Sequence, residues 1–431
     1  MATTTLRNEA VGLLQELLRL NTVNPPGNES IAAELLRDYL GDSGLPCELY
    51  AREAGRDNLV ARIPGRGDGP SLLLVCHTDT VVADPDEWSV DPWSGAIEDG
   101  CVWGRGALDM KGHVAAAATA IATLAREGFE PAGDLVFAAT ADEEVGVDVG
   151  LSWLCKAHPE AVRTDYCVNE GGGERVHVAG RPVYLCTTAE KMSSPFRLKV
   201  RGRSGHGSMP GIADNALVRA ARLIERAAAF RQPPRLLPET EALLALLGEV
   251  PDPEELDRVV AELPQEVRQM VEPMLGAAVS PTMISASTLT NVIPGLCEVT
   301  CDCRLLPGDT PADVEPALRE ALGEDSYDLE WVEAVGGTRS PLATPLWDAI
   351  EAFVAEDDPG ARVVPVVSPG FTDSHFLRQA FGTVAYGFFP MRTMDPEVAA
   401  KLIHSADERI AVEDLELGVR FLRHVAATLG R

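Results

Sequence analysis

The sequence predicts an α/β protein: a mixed sheet flanked by helices, interrupted by an inserted ferredoxin-like α+β module. Three observations carry that expectation. The first stretch of the chain, to about residue 190, alternates helical and strand patterns. Near Glu190 the order becomes β-α-β-β-α-β. From about residue 336 the first style returns. A discontinuous first domain over 1–189 and 336–431 is therefore expected, with the insert over 190–335.

Each element has its own signal. Residues 6–20 place Leu6, Leu13, Leu14, Leu17 and Leu18 at helical spacing, and Pro25, Pro26 and Gly27 form the loop that follows. A second helix is expected over 29–41. NLVARI and SLLLVCHTDTV read as strands, and the second is apolar enough to be central. GHVAAAATAIATLAREG is an alanine-rich helix that can lie close on a sheet, and DLVFAATADEE and DYCVNEG are further buried strands. In the insert, SSPFRLKVRGR alternates as a half-buried strand and NALVRAARLIERAAAF is helical. TMISASTLTN and LCEVTCDCRLLP read as strands, PADVEPALREAL as a helix and DLEWVEAV as a strand. An acidic, proline-containing stretch over 231–280 reads as a helical elaboration of the insert. PLWDAIEAFVAE (helix), TVAYGFFP (buried strand) and VEDLELGVRFLRHVAATL (closing helix) complete the first domain.

Composition excludes several classes of function. The chain has 431 residues, 45% hydrophobic and 24% charged, enough for two or three domains with a large core. Its formal net charge of −29 repels phosphate backbones, so no nucleic-acid partner is expected. No apolar run reaches the roughly 18 residues that span a membrane. The N-terminus lacks a basic stretch leading into a continuous apolar one. The nine cysteines are odd in number and form no CxxC, which fits reduced thiols in a cytoplasmic protein. Cys301 and Cys303 share a strand face and read as small core residues.

Five metal-type ligands stand out: His77 in LLLVCHTDTV, Asp109 in GRGALDMKG, Glu144 in ATADEEVG, Glu170 in CVNEGGG and His404 in IHSADERI. Two imidazoles and three carboxylates suit two zinc-like ions in an open catalytic site. His404 lies far along the chain, and its return to the others is the main reason to expect a discontinuous domain. Residues two apart on a strand face the same way, so Asp79 is placed to orient His77. Asp109 sits at a helix start, where a carboxylate can be a simple N-cap or can bridge two ions. Three acids after a buried strand are costly unless cations neutralise them. Glu144 would ligate, and Glu143 beside it would be the general base. Further along, SGHGSMP offers His206 as an oxyanion or carboxylate contact. Asn291 in TLTNVIPG, Arg304 in CDCRLLPG, and Gly370 and Thr372 in SPGFTDSH are candidates to bind a substrate carboxylate.

Taken together these motifs resemble the zinc-dependent metallopeptidase and amidohydrolase family of aminoacylase, acetylornithine deacetylase, succinyl-diaminopimelate desuccinylase and carboxypeptidase G. The resemblance runs from LLQELLRLNTVNPPGNE to HSADERI. It implies a discontinuous zinc-hydrolase domain and an inserted lid domain that often mediates homodimers. It implies two Zn2+, with Co2+ or Mn2+ as substitutes. His77 and Glu170 would hold one ion, Glu144 and His404 the other, and Asp109 both. It also implies a cis peptide after Asp109 and a lid histidine, His206, that often reaches a partner subunit's site. Asn291 and Arg304 match lid positions that contact substrate. The 231–280 elaboration resembles the larger carboxypeptidase-S-like branch. Glu170, where some members carry Asp, is closer to the aminoacylase and carboxypeptidase members.

The expected activity is hydrolysis of the amide bond of an N-acyl amino acid or short peptide with a free carboxylate. Glu143 would take the proton of the attacking water. Two alternatives remain open from sequence: a metallo-exopeptidase on the same site, and a non-catalytic binding protein on this scaffold.

Overall fold

The computed structural model describes residues 3–248, 250–252, 254–263, 265–324 and 326–430. Glu249, Pro253 and Pro264, inside the expected helical elaboration, lie outside the described residues. The chain forms two compact units. One comprises Met1–Thr188, Ser340–Pro365 and Thr372–Arg431; the other comprises Ala189–Arg339 and Val366–Phe371.

In chain order the first unit opens with helices α1 (Thr3–Leu18) and α2 (Ser30–Asp42), then strands β1 (Cys47–Ala51), β2 (Asp57–Ile63) and β3 (Leu72–His77). Helix α3 (Lys111–Arg126) leads to β4 (Leu135–Thr140), β5 (Tyr166–Asn169), β6 (Arg175–Val178) and β7 (Arg181–Glu190). The second unit contributes β8 (Phe196–Arg201), α4 (Ala216–Ala229), β9 (Ala278–Ser285), β10 (Leu296–Leu305), α5 (Pro311–Leu322) and β11 (Asp328–Trp331). The chain then supplies α6 (Pro345–Asp357), β12 (Arg362–Ser368), α7 (Ser374–Phe381), β13 (Val384–Gly387), α8 (Pro396–Leu402) and α9 (Val412–Leu429).

The large sheet has the order β1-β2-β4-β3-β5-β13-β7-β12, with β6 pairing on β7. Its centre is parallel: β3 pairs in parallel with β4 and β5, and β5 with β13. The flanks are antiparallel, as in β1–β2 and β2–β4. Every residue of β3 and β4 is buried, as expected for strands covered on both faces. The alanines of α3 make this possible. Ala115 to Ala118 are fully buried, so the helix lies close to the sheet and packs on α1 and α9. Lys111 at its first turn is fully buried, and its Nζ donates to the carbonyls of Leu17 and Leu20 at the end of α1.

The second unit has its own core of Phe196, Leu198, Val200, Leu223, Val299, Cys301 and Leu318, among others. Its main strands run in the order β11-β8-β10-β9, all antiparallel, the arrangement of a ferredoxin-like α+β module. Strand β9 begins at Ala278, four residues before the TMISASTLTN pattern. Within 231–280 the helices are short: Pro238–Ala245, Leu256–Glu262 and Gln265–Val271. All nine cysteines are free thiols, and Cys301 and Cys303 are buried. Among the described residues no helix is long and apolar enough to cross a membrane.

Candidate metal centre

Three adjacent parallel strands end at one edge of the large sheet, and each delivers a ligand-type side chain there. His77 is the last residue of β3, Glu143 and Glu144 follow β4, and Glu170 follows β5. Such convergence at strand carboxyl ends is where open α/β sheets place their sites. Asp109 precedes α3, and His404 follows α8. The peptide bond after Asp109 is cis. Two backbones here adopt the left-handed region: Asp142 at φ 68° and His404 at φ 59°.

Asp109 lies between the two imidazoles. His77 Nε2 is 3.0 Å from Asp109 Oδ1, and His404 Nε2 is 3.0 Å from Asp109 Oδ2. Glu170 Oε1 is 3.7 Å from His77 Nε2, and Glu144 Oε2 is 3.1 Å from His404 Nε2. The ligand atoms of His77, Asp109 and Glu144 all lie within 4.8 Å of one another, as do those of His77, Glu143 and Glu170. Two atoms bound to one tetrahedral zinc at its usual bond lengths are separated by roughly 3.4 Å. The side chains therefore already stand at the spacing of a coordination shell. Glu144 Oε1 is buried with no hydrogen-bond partner, an orphaned anionic oxygen that a cation would satisfy. The donor set fits divalent ions.

The titration behaviour has the same cause. Burial pushes the carboxyl of Glu143 well above the ordinary range, and the nearby Glu170 charge adds to this. Burial raises Glu144 to about 7, and Glu170 is raised for the same reason. Burial also works against the Asp109 anion, but hydrogen bonds from His404 and His77 hold its carboxyl below the usual value. His77 loses hydration by burial, yet the Glu170 charge keeps its pKa raised. Several carboxyl groups thus compete for charge at one point, which is what a bound divalent ion relieves.

Residues 73–428 match peptidase family M20/M25/M40. The chain belongs to that family. Its members are metallopeptidases and amidohydrolases, so the protein is a hydrolase of amide or peptide C–N bonds. The succinyl-diaminopimelate desuccinylase of Cereibacter sphaeroides is 28% identical over 421 residues, covering 95% of each chain. The fold is similar to that of an M20 family metallo-carboxypeptidase, Sso-CP2 from Sulfolobus solfataricus, with a TM-score of 0.76 at 19% identity over 98% of this chain and 99% of that one. The di-peptidase Dug1p from Saccharomyces cerevisiae gives a TM-score of 0.70 at 14% identity over 99% and 97%.

In this M20 chain, the residues around these side chains are tied as firmly as the side chains themselves. Asp79 is fully buried. His77 Nδ1 is 3.0 Å from the Asp79 backbone oxygen and 3.3 Å from its Oδ1. The Asp79 carboxylate also accepts the backbone N–H groups of Glu143 and Glu144, each at 3.2 Å, and Asn24 Nδ2 at 2.9 Å. One aspartate therefore orients an imidazole and fixes the turn that carries both glutamates. Asn24, next to the PPG loop, is steadied in turn by Asp142. Arg56, paired bidentately with buried Glu29, lies 3.4 Å from the same Asp142.

Two acidic residues of this region escaped the sequence reading. Glu408 is fully buried, and its carboxylate accepts from Arg105 Nη1 (2.6 Å) and from the backbone N–H of Gly106 (3.0 Å), Leu108 (2.7 Å) and Asp109 (3.0 Å). It thus links the segment after His404 to the loop that presents Asp109. An acid in the same motif as His404 was the available signal. Asp373 is also buried, accepts from Thr140 Oγ1 at 3.1 Å, and is raised by burial to about 7. It lies one residue beyond Thr372 in SPGFTDSH.

The substrate-binding candidates are divided between the units. Thr372 is in the first, where its hydroxyl oxygen accepts from Asn169 Nδ2 at 3.1 Å and from the Ser374 N–H at 3.2 Å. His206, Asn291, Arg304 and Gly370 are in the second. His206 and Asn291 are exposed and close along their backbones, with the Gly207 N–H donating to the Asn291 carbonyl at 2.7 Å. The Ser208 N–H donates to His206 Nδ1 at 3.2 Å. A neutral His206 therefore carries its proton on Nε2. Arg304 Nε donates to both oxygens of Asp302 at 3.1 Å, and the Gly370 N–H donates to Ser368 Oγ.

Proposed function

We propose that this protein hydrolyses the amide bond of an N-acyl amino acid or short peptide bearing a free carboxylate, using two Zn2+, with Co2+ or Mn2+ as substitutes. The observation that carries this reading is the Asp109 carboxylate, which offers one oxygen to each of two imidazoles at 3.0 Å. His77 and Glu170 would hold one ion, Glu144 and His404 the other, and Asp109 would contribute to both. When bound, the ions supply charge that polarises the amide carbonyl and acidifies water.

The remaining work belongs to the chain. Glu143 accepts the proton of the attacking water at its carboxylate and returns it to the leaving nitrogen. Asp79 holds the Glu143 backbone and the His77 ring, so neither has to reorganise. His206, with its proton on Nε2, donates to the oxyanion. Arg304 exchanges Asp302 for the substrate carboxylate, with Asn291, Gly370 and Thr372 completing its contacts. Desuccinylase and carboxypeptidase, the activities for which the relatives above are named, both act on substrates with an amide near a carboxylate.

The second unit serves as a lid and as the surface for a homodimer. Among the described residues strand β9 pairs only with β10, leaving its other edge open, with Met283 69% and Ile284 52% exposed. Ile284→Lys should shift sedimentation from dimer to monomer; a protein that is monomeric before the change would remove the dimer from this reading.

The deciding test incubates metal-loaded protein with pooled N-acyl amino acids and dipeptides, followed by mass spectrometry. Glu143→Gln is the control. Deacylation by the intact enzyme alone supports the reading, and cleavage of dipeptides alone makes it an exopeptidase. No cleavage by metal-replete protein favours a binding role.

A further inference from the structure

Beside the metal centre the first unit contains a cavity of about 120 Å³, roughly the volume of four water molecules. Asp109, Glu170 and Glu174 contribute to its wall, with Phe389 and Ile403 among its apolar residues. No lysine or arginine lines it. Its floor holds His113, which is 3% exposed and has no hydrogen-bond partner at either ring nitrogen. The ring lies against Phe389, with centroids 4.6 Å apart. A buried imidazole with both nitrogens unsatisfied is costly unless something in the cavity bonds to it. Gly171 and Ile403 on the wall are exposed, so the cavity opens to solvent next to Glu170 and His404.

We propose that this cavity is the subsite for the acyl chain of the substrate, taking a short uncharged chain with a hydroxyl end that hydrogen-bonds His113. The proposal rests on the hydrolase reading above. The acyl chain is attached to the carbon under attack, so a pocket sharing Asp109 and Glu170 with the metal centre lies within a few bonds of it. The amine side carries the substrate carboxylate, for which this pocket, walled by Glu174 and apolar residues beyond the ion-holding acids, offers no lysine or arginine. The same argument disfavours a succinyl group, in contrast to the desuccinylase relatives. Burial, with the neighbouring His77 charge, pushes His113 down to about 3, so the ring is a neutral donor and acceptor. A hydroxyl, which also donates and accepts, is its complement.

The test uses the full-length, metal-loaded enzyme with N-propionyl, N-(3-hydroxypropionyl), N-(4-hydroxybutyryl) and N-succinyl derivatives of one amino acid. The hydroxyacyl compounds should exceed the plain acyl compound in kcat/KM by about tenfold, the worth of one good hydrogen bond, with the succinyl compound slowest. In His113→Leu that ratio should collapse towards one, and His113→Asn should recover part of it. A succinyl preference, or an unchanged ratio in His113→Leu, overturns the proposal. Cleavage of none of the four counts against the hydrolase reading itself. Crystals of the metal-loaded protein soaked in 3-hydroxypropionamide then decide the cavity independently. Density beside His113 upholds the subsite, and a cavity without it overturns the subsite.

Discussion

The two units present their functional residues in opposite ways. In the first, His77, Asp79 and Glu408 are essentially buried, and each is held by two or more directional contacts. In the second, His206 and Asn291 are exposed, and the Arg304 side chain is engaged with Asp302, two residues away. The contrast follows from the work proposed for each. Holding divalent ions requires several charged atoms within a few ångströms of one another, and only strand ends braced by buried hydrogen bonds can keep like charges that close. Contacting a substrate that must enter and leave calls for side chains with few prior commitments. The contrast has exceptions in the first unit, where His404 is half exposed and Thr372 is buried.

The sharpest way to break the comparison is to replace the proton carrier without touching a ligand. Glu143→Gln should lower turnover by about a thousandfold or more while leaving metal content, measured by mass spectrometry, unchanged. Near-normal turnover would move the base elsewhere, with Asp373 next in line. His206→Ala, in the loose unit, should cost about a hundredfold in kcat, again with metal content intact. His206→Asn keeps a donor and should recover part of the loss. Equal activity of all three proteins would leave the second unit without a chemical role.

The candidate ligand motifs stood out in the sequence because their chemistry restricts residue type. A histidine closing the apolar run LLLVCH is a weak signal alone, but three acids closing LVFAATADEE are costly to bury without a cation. The fold was legible for a related reason. Fully apolar strands such as Leu72–His77 and the alanine run of α3 demand burial on both faces. Strand Arg362–Ser368 was missed because Pro365 interrupts it, and proline argues against strand. The strands Cys47–Ala51 and Arg175–Val178 alternate apolar and polar residues, but over only five and four positions, too few for the alternation to stand out. Glu408 was overlooked because its role depends on backbone N–H groups some 300 residues away, contacts that no local pattern encodes. Asp373 and His113 were overlooked for the same reason: burial, not spacing, sets them apart.

Glu408→Gln examines the rigid side at one remove. The amide would turn its NH2 towards at least one of the donors now bonded to the carboxylate, loosening the loop that carries Asp109. Metal affinity, measured by competition with a chelator, should weaken by about ten- to a hundredfold, as when other supports of metal ligands are lost. Unchanged affinity would mean that the Gly104–Asp109 turn holds itself.

The smallest effect is also the most direct reading of crowded charge. Glu144 is raised from 4.5 to about 7, so in metal-free protein its contribution to stability is complete below its unfolded value and is lost as pH rises through about 7. His77 and His404 are raised as well and act with the same sign. Asp109 is lowered, so its contribution is already complete above the ordinary aspartate range and does not change in this window. The chelated protein should therefore lose about 3 °C in Tm between about pH 5 and pH 8. The metal-loaded protein should not, because bound cations hold the carboxylates as anions from the start. Parallel pH curves with and without metal would mean that the cluster tolerates its own charge, and that the close spacing of the ligands is not maintained for an ion.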